Sequence, residues 1–130
     1  MPAEAAGVLL DTHATLWLLA GDKRLSPRAR RMTLQSSGRL VVSAVSLWEA
    51  AIKRSLGKLN APADLARRLA ALRQVELLPI SPLHAEAVGE LPWHHLDPFD
   101  RMLVAQALVE RLAIVSSDPA LAEYGVEVVW

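Results

Sequence analysis

The chain has 130 residues, no cysteine and a formal net charge of zero. A chain of that length is expected to form one domain, residues 1–130, with a real core, and the lack of cysteine excludes disulfides and thiolate chemistry. No apolar run reaches the ~18 residues that a membrane span needs, and Met1-Pro2-Ala3-Glu4-Ala5-Ala6 carries no basic stretch ahead of an apolar core, so no signal peptide and no membrane partner are expected, and a cytoplasmic location is.

Gly7-Val8-Leu9-Leu10 reads as a buried strand ending at Asp11. Thr12 to Ala20 follows as a helix, with Gly21 as its stop. A second helix opens at Ser26-Pro27 and runs from Arg28 to about Ser36. Leu40-Val41-Val42 is a second strand, and Ser46 with Glu49 matches a capping box for a helix reaching Leu56. Pro62 to Gln74 reads as an amphipathic helix with Leu65, Leu69 and Leu72 as its apolar stripe. Val75 to Ile80 is a third strand, and Ser81-Pro82 caps a helix to about Glu90. Leu91-Pro92-Trp93-His94-His95 is then a loop.

The next helix opens at Asp97-Pro98-Phe99-Asp100 and ends near Arg111. Proline suits the first helical position because it has no N–H to leave unpaired. Asp97 suits the N-cap, where a carboxylate accepts from a free backbone N–H, and Asp100 sits well in the helix dipole. Ala113 to Ser116 is a fourth strand, Ser117-Asp118-Pro119 begins another helix, and Val126 to Val129 is a fifth strand. The alternation of strands and helices argues for an α/β domain built on one parallel sheet with helices on both faces.

Asp11, Glu49, Asp100 and Asp118 all fall at strand ends or in first helical turns. Each has a capping explanation alone. In a parallel sheet all of them reach the carboxyl edge, where ligands bind in open α/β folds. Clustered carboxylates repel one another and raise each other's pKa, and a divalent cation relieves that repulsion. An all-oxygen donor set suits Mg²⁺ or Mn²⁺ rather than zinc, and such ions carry phosphoryl chemistry. Thr12 and Ser116 are supporting polar candidates beside Asp11 and Asp118. His94 and His95 lack ligand spacing and are expected to pack in the loop or touch substrate. Trp17 and Trp48 are expected in the core; Trp93 is open to either packing or base stacking.

Charge is uneven: residues 21–74 hold twelve Lys/Arg against three Asp/Glu, whereas residues 75–130 hold two against nine. That asymmetry points weakly to an anionic partner.

Four blocks together resemble the PIN-domain family and, within it, VapC-type toxins of bacterial toxin–antitoxin pairs. They are Leu9-Leu10-Asp11-Thr12-His13 with Leu16-Trp17; Val42 to Glu49; His95 to Ala107; and Ser116-Ser117-Asp118-Pro119 with Tyr124-Gly125-Val126. The resemblance implies a PIN-like three-layer α/β/α domain with a five-stranded parallel sheet in the order 3-2-1-4-5. It further implies that Asp11, Glu49, Asp100 and Asp118 are both catalytic and metal-binding, with Ser116 as the polar residue near the fourth acid and Asp97 beside the pocket. The activity implied is Mg²⁺- or Mn²⁺-dependent RNA cleavage by a homodimer that a small antitoxin neutralises. Lys53, Arg54, Lys58 and Arg101 are the expected RNA contacts. Two other functions fit the residues: a DNA-directed or structure-specific nuclease with the same site, and a protein-binding module whose acids only cap helices.

Overall fold

In the computed structural model, which describes residues 5–35 and 38–130, the apolar runs form five strands: β1 (Gly7–Leu10), β2 (Arg39–Ser43), β3 (Val75–Leu78), β4 (Ala113–Val115) and β5 (Val128–Val129). They pair in parallel in the order β3-β2-β1-β4-β5, as the resemblance implies. Leu9 lies beside Val41 and Ile114, and Leu10 beside Val42 and Val115. Alternation of side chains then sends Leu9, Val41 and Ile114 into one core and Val8, Leu10, Val42 and Val115 into the other. Both faces are covered, which is why the strands read as continuous apolar runs.

Helices α1 (Thr12–Ala20), α2 (Pro27–Leu34) and α4 (Leu65–Ala70) contribute to the core that holds Leu10 and Val42. Helix α6 (Pro98–Glu110) and the 3-10 turn Pro119–Tyr124 pack on Leu9 and Ile114; α5 (Pro82–Gly89) packs on α6. Helix α3 (Ala44–Ser55) serves both cores, giving Val45 to one and Ala50 to the other. No helix among the described residues is long and apolar enough to cross a membrane.

Local differences from the sequence expectation have physical causes. Helix α3 starts at Ala44 because Ser43, the last residue of β2, caps it by accepting from the Val45 N–H. Ser46 is therefore inside the helix, and the capping box expected of Ser46 and Glu49 does not form. Helix α4 is much shorter than Pro62–Gln74, and the Asp64 carboxylate ahead of it pairs with Arg68 and caps no backbone N–H. The residues after Asp118 form a 3-10 turn rather than an α-helix. Ser36, at the expected end of α2, and Met1–Glu4, part of the stretch read as lacking a signal peptide, lie outside the described residues.

A buried polar chain fixes α3 against α6. The Ser43 hydroxyl donates to Gln106 of α6, whose amide nitrogen donates to the Pro79 carbonyl at 3.3 Å. The buried His84 ring lies 3.3 Å from that same amide and 3.0 Å from Glu110. At the other end of the sheet Arg39 pairs with Glu76 and Glu110. These bonds hold the two helices that carry Glu49 and Asp100 in one relative position.

Candidate metal centre

Asp11 leaves the carboxyl end of β1 and caps α1, accepting from the Ala14 N–H at 2.8 Å. Burial pushes its carboxyl pKa up, against hydrogen bonds from Ser116 and Ala14 that pull it down. Ser116 is buried just past β4 and accepts from the Asp118 N–H at 3.1 Å. It therefore ties Asp11 to the turn carrying Asp118, whose carboxylate caps that turn through the Ala120 N–H at 3.0 Å.

Asp97 is the N-cap of α6, accepting from the N–H groups of Phe99 at 2.8 Å and Asp100 at 3.2 Å. Asp100 is left to face the pocket. Burial and then repulsion from Asp97 push its pKa up to about 6; His95 opposes that rise, while Glu49 and Asp11 add to it.

Glu49 is buried, 4% exposed, and has partners at both oxygens. Thr12 donates to one of them, and Thr12 and Ser46 hydroxyls lie 3.2 Å apart. The Lys53 ammonium sits on the other as an i,i+4 ion pair along α3. That contact raises the Lys53 pKa, with Asp97 and Asp100 contributing. Lys53, expected to hold RNA phosphates, is thus committed to Glu49.

His95 enters the same pocket. Its Nε2 lies 3.2 Å from Asp118 Oδ2 and 3.5 Å from Asp100 Oδ2. His95, Asp100 and Asp118 each offer an atom within 4.8 Å of the others; Asp11 and Glu49 lie outside that tight triplet. Sequence spacing gave no sign of His95, because it reaches Asp118 across 23 residues. The available signal was its place two residues ahead of the Asp97 cap.

Arg101 corrects a second expectation. It is only 4% exposed and donates to the carbonyls of Pro92, Val88 and Leu91. Its guanidinium lies 3.7 Å from the centre of the Trp93 ring. Such a group stiffens the 91–97 loop and is not free for a phosphate. Trp93 itself is 73% exposed. Trp48, expected in the core, is 56% exposed and meets Phe99 edge-on, whereas Trp17 is half-buried against the core. Arg54 and Lys58 are exposed at the end of α3 and just beyond it.

The donors present fit a hard divalent cation. They are mostly carboxylate oxygens, and at Asp11 and Asp100 burial raises the pKa, so that ionising them has a cost that a cation offsets.

A model of the PIN domain matches residues 8–127. No curated protein matches the chain. Among solved structures, the chain is similar to VapBC2 from Rickettsia felis bound to a DNA fragment from their promoter, with a TM-score of 0.68, 14% identity and coverage of 93% of this chain and 96% of that chain. It is also similar to DNA-bound VapBC from Salmonella typhimurium, with a TM-score of 0.66, 17% identity and coverage of 94% and 96%. FitAcB from Neisseria gonorrhoeae gives a TM-score of 0.57, 17% identity and coverage of 93% and 95%.

Proposed function

The chain belongs to the PIN-domain family, and from that premise we propose that it is a metal-dependent endoribonuclease, the toxin of a bacterial toxin–antitoxin pair. The observation that carries this reading is the Asp100 carboxyl, pushed to about 6 by burial and by neighbouring acids in a pocket shared with Asp118. A carboxyl so placed is poorly served by water and well served by a cation.

Asp11, Asp100 and Asp118 would hold Mg²⁺ or Mn²⁺, with Glu49 closing the pocket from α3. A divalent ion there supplies charge stabilisation at the phosphate and a lowered pKa for the attacking water. The chain's own residues do the positioning. Thr12 and Lys53 fix both Glu49 oxygens, and Ser116 ties Asp11 to the turn of Asp118. Asp97 caps α6 so that Asp100 points inward. Arg54 and Lys58 are the remaining candidates for sequence-independent phosphate contacts.

Partner and setting follow the same reading. The solved neighbours include VapBC complexes, which supports a cognate antitoxin for this chain as well; a homodimeric, cytoplasmic single domain is the rest of the proposal and follows from the family resemblance alone. Incubation with a single-stranded RNA and a DNA of the same sequence, with Mn²⁺ and with chelator, tests the activity. Metal-dependent cleavage of RNA alone is expected. Cleavage of DNA alone moves the substrate, and no cleavage of either across metals rejects the nuclease.

A further inference from the structure

We propose that His95 is a positioning residue for the acidic site: it donates its Nε2–H to the Asp118 carboxylate, with the Asp100 carboxylate alongside, and is not a metal ligand. The inference rests on the proposed metal site.

The ring's other nitrogen decides the matter. His95 Nδ1 accepts a hydrogen bond from the Asp97 backbone N–H at 3.1 Å. An accepting Nδ1 has no proton, so the ring proton is on Nε2. That proton faces Asp118 Oδ2 at 3.2 Å and Asp100 Oδ2 at 3.5 Å. To ligate a metal through Nε2, a neutral ring must move its proton to Nδ1. Two donors, the Nδ1–H and the Asp97 N–H, would then face each other at that short distance. Asp97 cannot give way cheaply, because its side chain caps α6 and its carbonyl accepts from the Arg101 N–H at 3.0 Å.

The backbone of His95 is held as firmly as its ring. Its N–H donates to the Tyr124 hydroxyl at 2.8 Å. Tyr124 belongs to the turn that Asp118 caps, so one residue joins that turn to the start of α6. Arg101 fastens the loop ahead of it through the Pro92 carbonyl at 2.8 Å. His95 thereby sets the separation of two carboxylates that come from different elements, Asp100 from the first turn of α6 and Asp118 from the turn beyond β4. A cation arriving between them finds oxygens already oriented, with an N–H behind them and no nitrogen lone pair in front.

Mn²⁺ is the probe, because imidazole nitrogen bound to it gives a ¹⁴N modulation in pulsed paramagnetic resonance. The full chain loaded with Mn²⁺ is expected to show no directly bound nitrogen. His95→Ala is expected to weaken Mn²⁺ about tenfold or more, the usual loss when a hydrogen-bond partner of a metal ligand is removed. His95→Gln places an amide N–H near the Nε2 position and is expected to recover most of that affinity. Circular dichroism and metal-free melting show whether either variant is folded. A bound-nitrogen signal that disappears in His95→Gln overturns the inference and leaves the nuclease reading standing. Equal Mn²⁺ loss in folded Ala and Gln variants also overturns it. Wild-type protein that binds no Mn²⁺ sinks both.

Discussion

The pocket has two halves that the chain treats differently. On the α3 side, Glu49 is nearly buried, yet each of its oxygens meets a donor from the protein, Thr12 on one and Lys53 on the other. On the α6 side, Asp100 pairs with no Lys or Arg among the described residues: Asp97, Glu49 and Asp11 repel it, and its closest counter-group is the Nε2 edge of His95. The first half is neutralised from within the chain, and the second is left in deficit. The difference teaches where a metal ion contributes most. Placing a cation beside Glu49 competes with Lys53, whereas placing one beside Asp100 relieves a cost already present.

Removing the charge from the deficient half should have the largest effect. Asp100→Asn keeps the shape of the side chain and is expected to cut RNA cleavage at least about a hundredfold, more than the tenfold to hundredfold typical of losing a group behind a ligand. It should also erase the melting shift with Mn²⁺. Near wild-type cleavage by this variant would mean that the deficit has nothing to do with function.

Metal should stabilise the wild-type chain, and acid should oppose it. A ligand of the native state adds RT ln(1 + [L]/Kd), about 2.7 kcal/mol at a hundredfold excess over Kd, and a chelator should reverse the shift. Protons and metal compete for Asp100, whose pKa is about 6. The Mn²⁺-induced melting shift is therefore expected to be full above pH 7 and to fade as pH falls through about 6. A shift that stays constant from pH 8 to pH 5 would place the ion away from Asp100.

The halves should also answer with opposite signs when no metal is present. The folded-state pKa of Asp100 lies above its ordinary 3.8, so the native state binds the extra proton. Ionising Asp100 then subtracts stability as pH rises from about 4 to about 6, and the loss stays in full above that. Asp100→Asn should remove this loss: its metal-free melting temperature is expected to exceed wild type at pH 8 and to converge with it toward pH 4. Glu49→Gln should do the reverse, leaving Lys53 without its partner. The Lys53 side chain is 34% exposed and its ammonium can turn to water, so about 1 kcal/mol is expected, near the upper value for accessible pairs. Equal signs in thermal melts at pH 8 would erase the distinction between the halves.

What was legible in the sequence follows the range of each signal. Asp11 and Asp97 were readable because a strand end and an N-cap are local features, and both do cap helices. The strand order came from resemblance, and the sheet has that order. Glu49 was singled out for its place soon after a strand, and what did not survive is the capping box that was its alternative explanation. Ser43 ends β2 and caps α3 at once, a double duty that moves the helix start and leaves Glu49 to Thr12 and Lys53. His95 was read only as a loop or substrate-contacting residue, because its partners lie on the next helix and beyond β4. Arg101 carries a positive charge into a buried position, and only the folded loop from Leu91 to Asp97 shows that backbone carbonyls and Trp93 receive it.

The smallest effect belongs to Asp97, which sits in the same helical turn as Asp100 and so serves as its control. Its carboxylate caps α6 and also repels Asp100. Losing the cap in Asp97→Ala is expected to cost about 1 kcal/mol, partly offset by the relief at Asp100. Asn is as good an N-cap as Asp, so Asp97→Asn separates the two roles: stability should hold, while the Asp100 carboxyl moves back down toward its ordinary range. The Mn²⁺-induced melting shift of Asp97→Asn should then persist to lower pH than in wild type. Both variants keep the backbone N–H that meets His95 Nδ1, so both should retain most of the cleavage rate. Loss of cleavage and of the Mn²⁺ shift in folded Asp97→Asn would make Asp97 a ligand, and the pocket would then have to be redrawn around the helix cap itself.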